Sequence, residues 1–213
     1  MLRAGESSKP ESYSQAIEAP PEPPRGWYSR GYLPHLDTPG LIQTVGIRLT
    51  DSLPRDVLDQ LYAETRHDEL ERLRRIEHLL DTGRGACWLA RPEIAGLVEH
   101  ARLHFDGTRY RLLAWTVMPN HVHFVLETRS EHPLFRVIQG LKSYTALRAN
   151  GTLGRTGNFW ARDYFDRYVR DALHLAAMVR YIDNNPVKAG LVSRPEDWPF
   201  GSARRCDRGS ADL

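Results

Sequence analysis

The run from Tyr110 to Glu127 constrains the fold more than any other part of the chain. Tyr110-Arg111-Leu112-Leu113-Ala114-Trp115-Thr116-Val117 and His121-Val122-His123-Phe124-Val125-Leu126-Glu127 flank Met118-Pro119-Asn120. Two β-rich runs joined by so tight a turn predict an antiparallel hairpin. Side chains alternate faces along a strand, so Val122, Phe124 and Leu126 fill one face while His121 and His123 share the other, with Cα atoms roughly 6.5–7 Å apart. Two neighbouring imidazoles can chelate one divalent cation and leave its other positions to further ligands or water. The same spacing also describes two ordinary histidines on a sheet surface, so it needs company before it means chemistry.

The rest of the chain supplies a frame for that hairpin. Leu41–Leu49 is rich in β-branched residues and reads as a first strand, with Gly46 as a possible bulge. Ser52 and Pro54 signal a helix start. Apolar residues then recur at helical spacing from Val57 to Leu80, with Arg66-His67-Asp68 placed to split them into two helices. A further helix is expected from Pro92 to Gly107, and two more near 133–149 and 172–185, the last capped by Asp171 and stopped by Pro186. Between these lies a Gly/Arg/aromatic segment, 151–170. Strands and helices without a βαβ rhythm predict an α+β fold with helices packed on an antiparallel sheet. No internal repeat is visible.

Of 213 residues, 41% are hydrophobic and 26% charged, which suits one ordinary domain with a real core. Residues 1–25, with Pro10, Pro20, Pro21, Pro23 and Pro24 among Ser and Glu, read as a disordered tail. Residues 26–203 read as one folded domain and 204–213 as a basic, mobile tail carrying Arg204, Arg205 and Arg208. No apolar run approaches membrane-spanning length and no signal-peptide core follows the N-terminus. Cys87 and Cys206 make no disulfide framework. A reduced, cytoplasmic protein with no membrane partner is expected.

Two further constellations bear on function. In a helix over 172–185, Tyr181 and Asn185 stand at i and i+4 on one face. There Asn185 can offer its amide oxygen as a third metal ligand while Tyr181 points at whatever the metal holds; a core tyrosine and a pre-proline cap are the plainer reading. Residues 136–170 hold 7 Lys and Arg against 2 Asp and Glu. Arg136, Lys142, Arg148, Arg155, Arg162, Arg167 and Arg170 interleave with Tyr144, Phe159, Trp160, Tyr164, Phe165 and Tyr168. Cations neutralise phosphates and aromatics stack on unpaired bases, the pairing that single-stranded nucleic acid requires.

These blocks, in this order, resemble the REP-associated tyrosine transposases, a branch of the IS200-like, Y1 or HUH class. The resemblance runs from about residue 30 to 203. It rests on Leu41-Ile42-Gln43, on Trp115-Thr116-Val117-Met118-Pro119-Asn120-His121-Val122-His123, and on Phe159-Trp160-Ala161-Arg162-Asp163-Tyr164-Phe165. It continues through Tyr181-Ile182-Asp183-Asn184-Asn185-Pro186-Val187-Lys188-Ala189-Gly190 and Trp198-Pro199-Phe200.

The resemblance implies a ferredoxin-like α+β fold, a four- or five-stranded antiparallel sheet with helices on one face. It implies metal ligation by His121, His123 and Asn185, where insertion-sequence members more often carry Gln, and a Tyr181 nucleophile. DNA would be gripped by Arg136, Lys142, Arg148, Arg155, Trp160, Arg162, Arg167, Arg170 and Lys188. The expected activity is Mg2+- or Mn2+-dependent cleavage and rejoining of single-stranded DNA at REP-like hairpins through a 5′-phosphotyrosine. A single-stranded DNA hairpin is the expected partner, with no nucleotide cofactor and with a monomer favoured. A module that binds hairpin DNA or RNA without cutting it is the alternative. A metal-dependent hydrolase is a third, since HxH also serves amidohydrolase barrels, but the chain is short for one. No residue stands out in the sequence as the base that would take the Tyr181 proton.

Overall fold

The computed structural model describes residues 23–29 and 34–205. Along the chain lie β1 (Gly26–Ser29), β2 (Pro34–Asp37), β3 (Ile42–Arg48), α1 (Arg55–Glu64), α2 (Glu69–Asp81), α3 (Pro92–Leu103), β4 (Tyr110–Val117), β5 (His121–Thr128), α4 (Leu134–Leu153), β6 (Phe165–Tyr168) and α5 (Ala172–Lys188). The tails expected over 1–25 and 204–213 fall mostly outside the described residues. At their inner ends, Arg25 donates its backbone N–H to Asp37 (3.1 Å) and sets its guanidinium 3.8 Å from the Phe135 ring centre. A 3-10 turn continues to Arg205.

β4, β5, β3 and β6 form one antiparallel sheet in that spatial order, and β1 pairs with β2 separately. The chain order β3–helices–β4–β5–α4–β6 is the split β-α-β arrangement of ferredoxin-like folds. The α+β, antiparallel expectation therefore holds. The predicted hairpin is β4–β5, and the predicted first strand is β3.

Period-2 alternation sorts the two faces. Val45 and Ile47 of β3 and Val122, Phe124 and Leu126 of β5 point to one side, into a core with Ile94 and Val98 of α3 and Leu134, Ile138 and Leu141 of α4. On the other side Ala114 and Val125 meet Ile182, with Leu175, Met178 and Val179 packed around them. Helices on one face describes α3 and α4, but α5 packs across the opposite face. That face carries Ala114 and Val125 near its middle, and apolar sheet surface left there has to be covered.

Three local expectations are corrected by packing. Gly46 is no bulge: it pairs in register with His123 and Phe165, and the irregularity lies in β4 between Leu112 and Ala114. Pro186 does not stop α5, which runs on to Lys188. Proline forfeits one backbone donor inside a helix, yet Pro186 is buried among its neighbours, and Ala189 N–H bonds the Asn185 carbonyl to close the last turn. The segment 151–170 holds a strand, β6, which pairs with β3. Asp68 and Asp171 cap α2 and α5, each accepting from a backbone N–H three residues on. Among the described residues no helix is long and apolar enough to cross a membrane.

Candidate active site

β5 is an interior strand, so both histidines sit on a rigid floor. His123 lies opposite Gly46 on β3 and Thr116 on β4, and His121 opposite Arg48. The two imidazoles stand 4.7 Å apart, edge to face. A Cβ added at Gly46 would come 3.4 Å from His123 Nδ1, the near edge of van der Waals contact, so a side chain larger than a methyl there would press on the ring. α5 brings Tyr181 over this floor, with its ring 6.2 Å from that of His123. Asn185 follows one turn later and is fully buried.

The polar atoms here are unusual in what they lack. His121 Nε2, His123 Nε2 and both carboxamide atoms of Asn185 are buried without a hydrogen-bond partner, and the buried Tyr181 hydroxyl faces the Glu77 carboxyl. Each such group costs roughly 1–3 kcal/mol if it stays unsatisfied, so this concentration calls for something that binds there. Burial pushes the His121 pKa well below the ordinary histidine value, helped by the charges of His123 and Lys188. Burial and then Lys188 bring His123 down to about 4. Both rings are therefore neutral at pH 7 and can donate lone pairs. Two neutral imidazole nitrogens and a carboxamide oxygen are a donor set that fits a divalent cation. Among the described residues no three His, Cys, Asp or Glu side chains gather in a way that could hold a metal ion.

Acidic residues of α2 complete the surroundings. Burial raises the Tyr181 pKa well above the ordinary phenol value, and the negative charges of Glu77 and Asp81 add to it. Burial likewise pushes the Glu77 carboxyl up, opposed by Tyr181 and Lys188. Lys188 Nζ lies 3.0 Å from Asp81 Oδ2 and 5.6 Å from the Tyr181 ring centre. A cleft of about 500 Å³ opens beside the histidines. Its floor includes Gly46, Arg48 and Phe165, and its walls are α1, α2 and the segment 161–164.

The residues expected to grip DNA sit in several different environments. Arg148, Arg162, Arg167 and Arg170 are exposed, and Arg162 lines the cleft. Arg136 is half-buried beside Phe135 on α4. Lys142 and Arg155 hold the protein itself: Lys142 Nζ donates to the carbonyls of Ala161 and Arg162 (both 2.7 Å), and Arg155 ties Asn150 to Asn158. Trp160 is a correction. It is only 6% exposed and its indole N–H donates to Thr145 Oγ1 (2.8 Å), so it belongs to the core and cannot stack on a base. Phe159 and Tyr164 are buried as well, while Tyr168 is exposed. Lys188 is engaged with Asp81, beside the tyrosine rather than along the basic stretch.

Sequence reasoning missed Arg48, Glu77, Asp81 and Asn120. Arg48 was within reach, since in a strand it shares a face with Gly46, two residues away. Glu77 and Asp81 are i, i+4 on a helix, but nothing local says which partner that face meets.

The family model described as Transposase IS200 like matches residues 96–185, a span that contains both histidines, Tyr181 and Asn185. Two proteins carrying the description REP-associated tyrosine transposase are similar in sequence. One, of Haemophilus influenzae strain Rd, is 26% identical over 106 residues, 45% of this chain and 60% of that one. The other, of Escherichia coli K12, is 29% identical over 112 residues, 51% of this chain and 64% of that one. The matches thus span less than two thirds of the length of these relatives. A solved structure of a REP-associated tyrosine transposase bound to a REP hairpin covers 86% of this chain and 89% of its own, with a TM-score of 0.55 and 19% identity. At that identity the likeness is one of fold.

Proposed function

We propose that this chain, whose residues 96–185 match the IS200-like transposase model and which is similar to REP-associated tyrosine transposases, cuts and rejoins single-stranded DNA at a REP-like hairpin, with Tyr181 as nucleophile and His121, His123 and Asn185 as ligands of Mg2+ or Mn2+. The observation that supports this reading is the concentration of buried, unpartnered donor and acceptor atoms on the two imidazoles and the carboxamide, with the Tyr181 ring 6.2 Å from that of His123.

Bound there, the cation would supply Lewis-acid polarisation of the scissile phosphate. The chain's own residues supply the rest. The two neutral imidazoles are held on an interior strand, so little rearrangement is needed to present their lone pairs. Arg48, on the same face beside His121, and Arg162 at the cleft wall offer fixed positive charge to a phosphate backbone entering the cleft. The Tyr181 oxygen attacks phosphorus, the bond to the 3′ oxygen breaks, and a 5′-phosphotyrosine forms while the phenol gives up its proton and the 3′ oxygen gains one. The tyrosyl ester keeps the phosphodiester energy, so another 3′-hydroxyl can reverse the step and rejoin strands. Burial that holds the phenol protonated restrains it until substrate and cation are in place.

The test is a labelled hairpin oligonucleotide from the flanking sequence, incubated with wild type or Tyr181→Phe, with Mn2+ or EDTA, and run on a denaturing gel. A Mn2+-dependent protein–DNA adduct absent from Tyr181→Phe is expected. Hairpin binding with no adduct in either metal condition would overturn catalysis in favour of a binding module. Cleavage without an adduct would point to hydrolysis by activated water. An adduct that survives Tyr181→Phe would move the chemistry to another tyrosine.

A further inference from the structure

Asn120 ends the turn between β4 and β5, and its side chain is 1% exposed. Its two amide atoms have different partners. Nδ2 donates to the carbonyl of Leu80 (3.1 Å), at the C-terminal end of α2, and to that of Arg84 (2.9 Å). Oδ1 lies 2.7 Å from His121 Nδ1. Exchanging the amide's oxygen and nitrogen would press Oδ1 against two carbonyl oxygens, so this network fixes the amide's orientation. An oxygen facing His121 Nδ1 can only accept, and therefore Nδ1 must carry the ring proton. A ring proton on Nδ1 leaves Nε2 as the lone-pair nitrogen of the neutral imidazole. The free Nε2 lone pair is the buried atom that lacks a partner.

We infer that Asn120 is a positioning residue that locks His121 in the Nδ1–H tautomer and so delivers its Nε2 lone pair to the cation site. This rests on the metal reading of His121 made above. The arrangement follows the general pattern in which a ligating histidine donates its other N–H to an oxygen that orients it. Here that oxygen is itself braced by α2. The two carbonyls that Asn120 holds belong to the end of α2 and the turn beyond it, and that of Leu80 also accepts the Gly83 N–H (3.0 Å). One side chain therefore ties the end of α2, with Glu77 and Asp81, to the histidine strand and orients a ligand. Neutral histidine left to itself favours the proton on Nε2, which would place a proton where the lone pair is needed.

The experiment reads the tautomer first and the metal second. 15N NMR of metal-free protein at pH 7.5 is expected to show a protonated Nδ1 and a bare Nε2 at His121 in the wild type. Asn120→Ala should shift it toward the Nε2–H form, and Asn120→Asp, which keeps an acceptor but loses both amide donors, should retain Nδ1–H. Mn2+ affinity by calorimetry should fall 10–100-fold in Asn120→Ala and stay close to wild type in Asn120→Asp. Both variants lose the bonds to Leu80 and Arg84, and Asn120→Asp in addition sets an oxygen against those two carbonyls, so an affinity that falls in Asn120→Ala but holds in Asn120→Asp cannot come from that structural loss. A wild-type His121 protonated on Nε2 would overturn the inference, with or without folded variants. So would a tautomer unchanged in Asn120→Ala, or Mn2+ affinity falling equally in both variants. A wild type that shows the Nδ1–H tautomer but binds no Mn2+ would overturn the metal reading of the site, and with it the delivery of that lone pair. Wild-type binding matched by Asn120→Ala would overturn the role of Asn120 alone.

Discussion

At the scale of single residues, the site is governed by what burial does to titratable groups. His123 is neutral in the folded protein down to about pH 4, whereas an unfolded histidine takes up a proton near pH 6.5. Between those values the unfolded state binds the extra proton, so stability falls as the pH drops through the window and is fully present above it. For His123 alone the loss should be about 3 kcal/mol, with His121 adding in the same direction because its pKa is also lowered. Urea unfolding of metal-free protein at pH 7.5, 6, 5 and 4.5 measures it. His123→Gln should remove most of that pH dependence, and a variant with an unchanged pH slope would disprove the assignment. Gly46 belongs to the same account. An added methyl would meet His123 at 3.4 Å, so Gly46→Val, larger still, should cost about 1–3 kcal/mol by overpacking and should weaken Mn2+ binding. Thermal unfolding and calorimetry read the two effects separately.

At the scale of elements, the question is what holds α5 at the right phase over the histidine face. Part of the answer is Ser202. Its hydroxyl donates to Asp183 Oδ1 (2.5 Å) on α5 and accepts from the backbone N–H of Trp115 (3.0 Å) on β4. Asp183 lies between Tyr181 and Asn185, so this bond clamps the helix midway between the two functional residues. Ser202→Ala should lower stability by about 1–3 kcal/mol, because it removes one hydrogen bond to a carboxylate and one from a backbone N–H. An equilibrium unfolding midpoint that moves without a change in denaturant slope would check it. The same scale shows what the sequence could and could not disclose. The hairpin and β3 were legible because period-2 alternation survives wherever one sheet face is buried. The break between α1 and α2 was legible because Asp68 caps α2. β6 escaped because four residues are too few for a periodic signal, and its pairing with β3 is nonlocal. Pro186 misled because burial of the ring outweighs a local stop signal. Asn120 read as a turn residue because its partners, Leu80 and Arg84, are some forty residues away. Trp160 looked like a stacking platform because aromatic interleaving is the same whether a ring points into or out of the core.

At the scale of the whole molecule, positive charge and chemistry need not occupy the same residues. The basic stretch read from the sequence resolves into residues that brace the protein itself, such as Lys142 holding the 161–162 backbone, and exposed residues, such as Arg162, Arg167 and Arg170. Only the second group is placed to release counterions from a DNA backbone. Replacing Arg162, Arg167 and Arg170 together by Gln should weaken hairpin binding across sequences. It should also reduce the slope of log affinity against log salt by about 0.7–0.9 for each phosphate that is no longer neutralised. Trp160→Phe should instead lower stability, by removing the indole bond to Thr145, and leave the salt slope unchanged. Fluorescence anisotropy with a labelled hairpin from about 50 to 200 mM salt separates these outcomes. If the triple variant kept the wild-type slope, the polyanion surface would lie elsewhere on the molecule. The half-buried arginine beside His121, Arg48, would be the next to test, since a phosphate drawn into the cleft meets that guanidinium on the same face as the two histidines.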